Sequence, residues 1–268
     1  MCPEHLGTLS KRNFHTNNRA FIMHIPTGEL TVILTDIDIV LEACKQAGST
    51  PAIASETEAD LPAIALALEH LIDVITRVEA DTQSTHDATT VDITEIGEYA
   101  LQLVAALSAE SDNLALSGQQ QALASLAINL ALWIARHGGQ LETLEPVANA
   151  LALMANSSRE PQELAQLSGV INEIIAAVSS FISQDLEKMN PGRPWRVLLL
   201  NHSIVATRSH NTDLMEAAFA IMTSKLPEDA TRFFSEGMEQ MDALDYPPQV
   251  RQVMEKYHSE WPVNRSLH

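Results

Sequence analysis

Aromatic side chains make up only 4% of the 268 residues, and cysteine is scarcer still, with Cys2 and Cys44 alone. A core short of Phe, Tyr and the β-branched residues argues against a β-sandwich or barrel, whose pleated surfaces draw on those types. Two cysteines so far apart make neither a disulfide framework nor a zinc site, and they agree with a reducing, cytoplasmic setting. Basic residues are missing from a long stretch. Between Gln46 and Ala135 the one Lys or Arg is Arg77, against thirteen acidic side chains. With a net charge of −19, the chain repels phosphates, so nucleic acid and anionic membranes are excluded as partners. Basic or peptide partners stay open, and the charge also serves solubility. Long apolar runs are absent as well. Ala122 to Ala135 is the most apolar stretch, but its 14 residues include Ser125 and Asn129. That falls short of the roughly 20 residues needed to cross a bilayer. Residues 1–22 lack the apolar centre of a secretory signal.

What the chain does have is Ala and Leu in abundance, arranged in one amphipathic stretch after another. Both residues favour helices and allow close helix approach. The fold class is therefore all-α, with antiparallel helical hairpins stacked as an α-solenoid-like array or gathered into an irregular bundle. Residues 1–22 are polar and aperiodic and read as a flexible segment, with Met23 an alternative start. Residues 23–190 form an acidic, Ala/Leu-rich helical region. Residues 191–260 form a compact, charge-balanced helical region packed on it, and 261–268 a tail.

Within the first region, Thr31 to Ile39 partly alternates as a strand would. Asp36, Asp38, Glu42 and the Ala-Cys-Lys-Gln ending, closed by Gly48, nevertheless favour a helix. Helices follow from about Ala59 to Asp81, Asp92 to Ala109 and Gln119 to Arg136, the last apolar enough to be buried. Pro146 starts another, and Pro161 opens one expected to run to Met189, where Asn190-Pro191-Gly192 stops it. After that come four shorter helices, begun at Pro194, at an Asn211 or Thr212 cap, at Pro227 and at Pro247-Pro248. Joints of a few residues imply antiparallel neighbours. Residues 212–248 have the size of a tetratricopeptide unit, and Ala230 with Phe234 has a small-then-aromatic spacing. The following proline comes too late and no second copy keeps the register, so the likeness is one of architecture only.

No Gly-rich phosphate loop, His-Glu-x-x-His, Cys-x-x-Cys or Gly-x-Ser-x-Gly occurs in the chain. Glu69, His70 and Asp73 have helical spacing for a metal, but they sit on the edge of the apolar stripe, where a solvated face is the plainer reading. His86-Asp87 is a doublet of the kind used by helical metal-dependent phosphohydrolases, here placed in a Ser/Thr-rich break. No cofactor is expected from these clusters.

The richest cluster is Arg193, Trp195, Arg196, His202, Arg208 and His210. Trp and Arg are frequent binding anchors, and arginine forks suit carboxylates and phosphates. In a chain this acidic the cluster marks a candidate surface for an anionic group or acidic peptide. The competing reading is intramolecular, with Trp195 in the core and the arginines facing the chain's own acids. Phe219, Phe233 and Phe234 fall on helical stripes and belong to the core, as do most of the C-terminal methionines. The sequence thus points to a non-enzymatic protein-interaction or scaffold module. Two alternatives remain. One is a helical-bundle enzyme or ligand-binding protein with a pocket near residues 193–210. The other is a homodimer joined through the Leu123–Leu130 face.

Overall fold

A helix that is apolar on every side has no face to offer water, and Gln120–Arg136 is such a helix: every residue from Leu126 to Ile134 is buried. The rest of the first region is arranged around it. The computed structural model describes residues 25–48, 61–82, 90–109 and 117–262. The expectations about residues 1–22, Met23, the 261–268 tail beyond residue 262 and the His86-Asp87 doublet lie outside them. Among the described residues there are eleven α-helices and no strand, with one isolated bridge between Leu141 and Val178. In chain order the helices are α1 (Leu30–Gly48), α2 (Leu61–Thr82), α3 (Thr90–Ala109), α4 (Gln120–Arg136), α5 (Glu145–Ser157) and α6 (Pro161–Ala177). After the four-residue α7 (Ser180–Ser183) come α8 (Pro194–Arg208), α9 (Thr212–Lys225), α10 (Pro227–Ala243) and α11 (Pro248–Glu260). None is long and apolar enough to cross a membrane.

The all-α expectation holds, and the ambiguous 30–46 stretch is helical. Helix α4 packs against α1, α3, α5 and α6 together. In a solenoid each repeat touches only its neighbours, so this half is a bundle around a central helix. Leu123, Leu126, Ile128 and Leu130 are buried inside the chain. The Leu123–Leu130 face is therefore covered by the protein's own helices and is not available for a dimer.

The one buried amide of α4 is fully used. Asn129 Oδ1 accepts the backbone N–H groups of Thr27 (3.0 Å) and Gly28 (2.9 Å). Its Nδ2 donates to the Ser125 carbonyl at 2.9 Å and approaches Asp36 Oδ2 at 3.4 Å, while Ser125 Oγ donates to the same Asp36 oxygen at 2.7 Å. Burial pushes the Asp36 carboxyl up from its ordinary value, and these two hydrogen bonds partly counter it. At the other end of α4, Trp133 Nε1 donates to Glu79 of α2 at 2.8 Å, and His137 Nε2 lies 3.2 Å from the same carboxylate.

The C-terminal helices are joined in sequence: α8 to α9, α9 to α10, α10 to α11, with α9 also touching α11. The proline and cap starts fall where the sequence puts them, Pro146 in the first turn of α5 included. Pro161, Pro194, Pro227 and Pro248 each lie in the first turn of a helix, and Asn211 caps α9 by accepting from the Asp213 and Leu214 N–H groups. Phe219 and Phe234 are fully buried. Helix α8 ties the two halves together, because it packs on α5 and α6 as well as on α9.

The long helix expected from Pro161 to Met189 is the main correction. It ends at Ala177, because Val178 and Ser179 leave for extended geometry and pair with the loop before α5. The Leu141 N–H donates to the Ala177 carbonyl at 2.9 Å, and the Ser179 N–H to the Leu141 carbonyl at 3.0 Å. These bonds satisfy groups that a continuing helix would have used internally.

Candidate functional site

The chain between α6 and α8 folds back on itself because one of its acids is buried. Asp185 is 5% exposed and adopts a left-handed backbone (φ 54°), a conformation that Asp tolerates better than most residues. Arg193, 4% exposed and just before α8, meets it with two parallel contacts, from Nε to Oδ1 and from Nη2 to Oδ2 at 2.7 Å. Arg193 Nη1 also donates to the Asn190 carbonyl at 3.2 Å. Hydrogen bonding to Asp185 outweighs burial and holds Arg193 further toward its charged form. A bidentate pair buried in this way fixes geometry as well as charge.

Pinned at both ends, the connector turns apolar side chains outward. Phe181 is 68% exposed, Leu186 72% and Met189 97%. Sequence reading assigned these three to a helix and missed them. Their spacing continues the helical stripe of Ile171, Ile174 and Val178, so the one local signal was the Val-Ser-Ser stretch at 178–180.

The six nominated residues separate in space. Trp195 is 3% exposed and belongs to the core, with its indole N–H finding no protein acceptor. Arg196 grips Asp229 of α10, with Nε 2.8 Å from Oδ2 and Nη2 2.6 Å from Oδ1, and donates to the Pro191 carbonyl at 2.8 Å. His202 is also 3% exposed; its Nε2 lies 3.2 Å from Ser168 Oγ on α6 and its Nδ1 has no partner. Burial lowers its pKa from 6.5 to about 4, so the ring is neutral at physiological pH. These four are thus packed in the core or, for the two arginines, paired with the chain's own acids.

Arg208 and His210 lie at the opposite end of α8, roughly 20 Å along the helix from Arg193. There they line an open cleft of about 230 Å³ with Arg159, Leu164, Leu244, Asp245 and Tyr246. Arg208 donates from Nη1 to the Ala155 carbonyl (2.8 Å) and from Nη2 to the Ser158 carbonyl (2.6 Å), closing the C-terminal end of α5. Burial pushes its pKa down, and the Arg159 charge adds to that. His210 has a left-handed backbone (φ 57°) and meets the Tyr246 ring edge-on at 5.5 Å. Neither Arg159 nor Tyr246 is marked by any motif in the sequence.

Glu69, His70 and Asp73 are all exposed, and Glu69 pairs with Lys45 at 2.8 Å. Among the described residues no group of three or more His, Cys, Asp or Glu is placed to hold a metal. A second cleft, of about 390 Å³, lies between the ends of α4 and α6. Its one charged wall residue, Glu173, is tied to Arg136. No family model, curated protein or solved structure matches the chain, so its function has to be read from these residues.

Proposed function

We propose that this protein is a non-enzymatic interaction module, and that the connector between α6 and α8 is its main contact. The observation behind this reading is the outward display of Phe181, Leu186 and Met189 within nine residues of chain. Scattered apolar exposure is ordinary, but three large apolar side chains exposed within one short connector are more than scatter and are the kind of surface that protein interfaces use. The connector is also held in place. The Asp185–Arg193 pair inside it and the Lys188–Glu228 contact at 3.1 Å tie it to α8 and α10, which lowers the ordering cost of docking. Phe and Met are enriched at interface centres, and the unbranched thioether adapts to an imperfect pocket. An apolar groove on another protein is the matching partner.

A Phe181→Ser, Leu186→Ser, Met189→Ser variant tests the reading in quantitative pull-downs from the native host. The side chains are exposed, so the melting temperature stays within about 2 °C of wild type. Partners recovered with the wild type are expected to disappear with the variant. Equal recovery of the same partners, with folding intact, sinks the assignment. If the partner is a second copy of the chain, the variant lowers the mass seen by light scattering instead.

A further inference from the structure

The cleft at the C-terminal end of α8 carries a different chemistry and stands independently of the connector. We propose that it is a carboxylate-binding site for a short acidic peptide segment. Arg136, Arg193, Arg196, Arg232 and Arg251 each pair with a carboxylate. Arg159 and Arg208 share one cleft and make no such pair among the described residues. Two neighbouring guanidinium groups with no carboxylate in direct contact are unfavourable on their own, even with Asp245 elsewhere on the cleft wall, and conspicuous in a chain with 35 acidic residues.

The donor geometry is already set. A guanidinium has five N–H groups, and the two Arg208 bonds to the Ala155 and Ser158 carbonyls fix its plane at the cleft wall. The remaining donors have no hydrogen-bond acceptor within the described chain. Arg159 is exposed beside it and makes no hydrogen bond of its own there, so it is free to close on a bound oxygen. Tyr246, half-buried and braced by His210, adds a phenol to the wall. Leu244, 53% exposed, gives the rim an apolar contact.

Charge and size narrow the occupant. Two arginines and Asp245 leave the cleft with a net charge of about +1, which matches a single carboxylate better than a phosphate dianion. At about 230 Å³ the cleft is below the 300–1,000 Å³ of ordinary ligand pockets, and it suits one Glu or Asp side chain or a chain terminus. The overall charge of −19 repels free anions at long range, but screening limits that field to about 8 Å at physiological salt. Contact energy must therefore do the holding. A peptide supplies it by placing an apolar neighbour on Leu244.

The test titrates three probes against the full chain by NMR. They are an acetyl- and amide-capped Gly-Leu-Glu-Gly peptide, its Gln counterpart, and inorganic phosphate. The Glu peptide is expected to shift the Arg159 and Tyr246 signals, weakening with added salt, and to bind about tenfold more tightly than the Gln peptide. Arg159→Gln should weaken the Glu peptide about tenfold with an unchanged melting temperature, since Arg159 is exposed and caps nothing. Arg208 is left intact, because it closes α5. Equal binding of the Glu and Gln peptides overturns the proposal, as does no binding or an unaffected Arg159→Gln variant. Tighter binding of phosphate would make this an inorganic-anion site instead. None of these outcomes depends on Phe181, Leu186 or Met189.

Discussion

The two halves of this molecule solve the same packing problem with different side chains. In the α1–α6 half, a single helix is enclosed by four others and the interior is built from many small aliphatic residues. Trp133 and Tyr99 are the only aromatic side chains between residues 30 and 177. In the α8–α11 half, consecutive helices lean on one another, and rings supply the volume. Phe219 lies 5.1 Å from both Phe234 and Tyr257, and Phe234 is 5.3 Å from Tyr257. Enclosing a helix spreads its stabilisation over many contacts. An array of neighbours has less interior and concentrates stabilisation in a few large side chains.

The sharpest way to break that comparison is Phe219→Ala. Removing a fully buried ring should cost about 3–5 kcal/mol in urea unfolding. Amide exchange tells where the loss is felt. If the halves are distinct, exchange accelerates in α9, α10 and α11 while α4 stays protected. Equal acceleration in α4 would mean one cooperative unit, and the distinction between halves would be one of composition only.

The seam between the halves has its own test. His202 on α8 faces Ser168 on α6 and is held neutral, with its pKa lowered to about 4. A group whose folded pKa is depressed binds more protons in the unfolded chain, so stability is lost as pH falls. Here the loss begins near 6.5, the unfolded value, and is complete below about 4, amounting to about 3 kcal/mol. His202→Leu should remove that part of the pH dependence, measured as the difference between wild-type and variant unfolding curves from pH 7 to 4. Parallel curves would show that the ring is not buried uncharged, and that α8 is held to α6 by something else.

Most of the architecture was legible because it rests on local signals. Proline at a first turn, Asn at a cap and a stripe of Leu and Ile each act within one helical turn, so the starts at Pro161, Pro194 and Asn211 are readable one by one. Helix ends set by distant partners are not. The stop at Ala177 depends on Leu141, 36 residues away in sequence, and no local pattern announces it. The candidate site failed for the same reason. Trp195, Arg196 and His202 look like a binding cluster when only their own helix is considered. Asp185, Asp229 and Ser168, which take up two of the three and Arg193 with them, come from elsewhere in the chain. Arg208 was half legible: its charge was noticed, but the cleft needs Arg159 and Tyr246, which only the fold brings to it.

The smallest effects come from the closest helix approaches, and they separate the halves again. At Gly97 in α3 an added Cβ would sit 2.4 Å from Ile134 Cγ1 and Cδ1, in the fully enclosed helix α4. At Gly237 in α10 it would meet Met254 Sδ at 2.6 Å and Cε at 2.8 Å, the far end of an unbranched side chain. Ala is the better helix former by about 1 kcal/mol at either position. Ile134 is fully buried and has nowhere to move, so overpacking of about 1–3 kcal/mol outweighs that gain, and Gly97→Ala is expected to destabilise by about 1 kcal/mol. Met254 re-packs by rotating its thioether, so Gly237→Ala should fall within about 0.5 kcal/mol of wild type. Urea midpoints compared at constant slope decide the matter. Equal losses at both sites would mean that the array is packed as tightly as the enclosed helix, and that the rings around Phe219 leave no more freedom than the aliphatic core does.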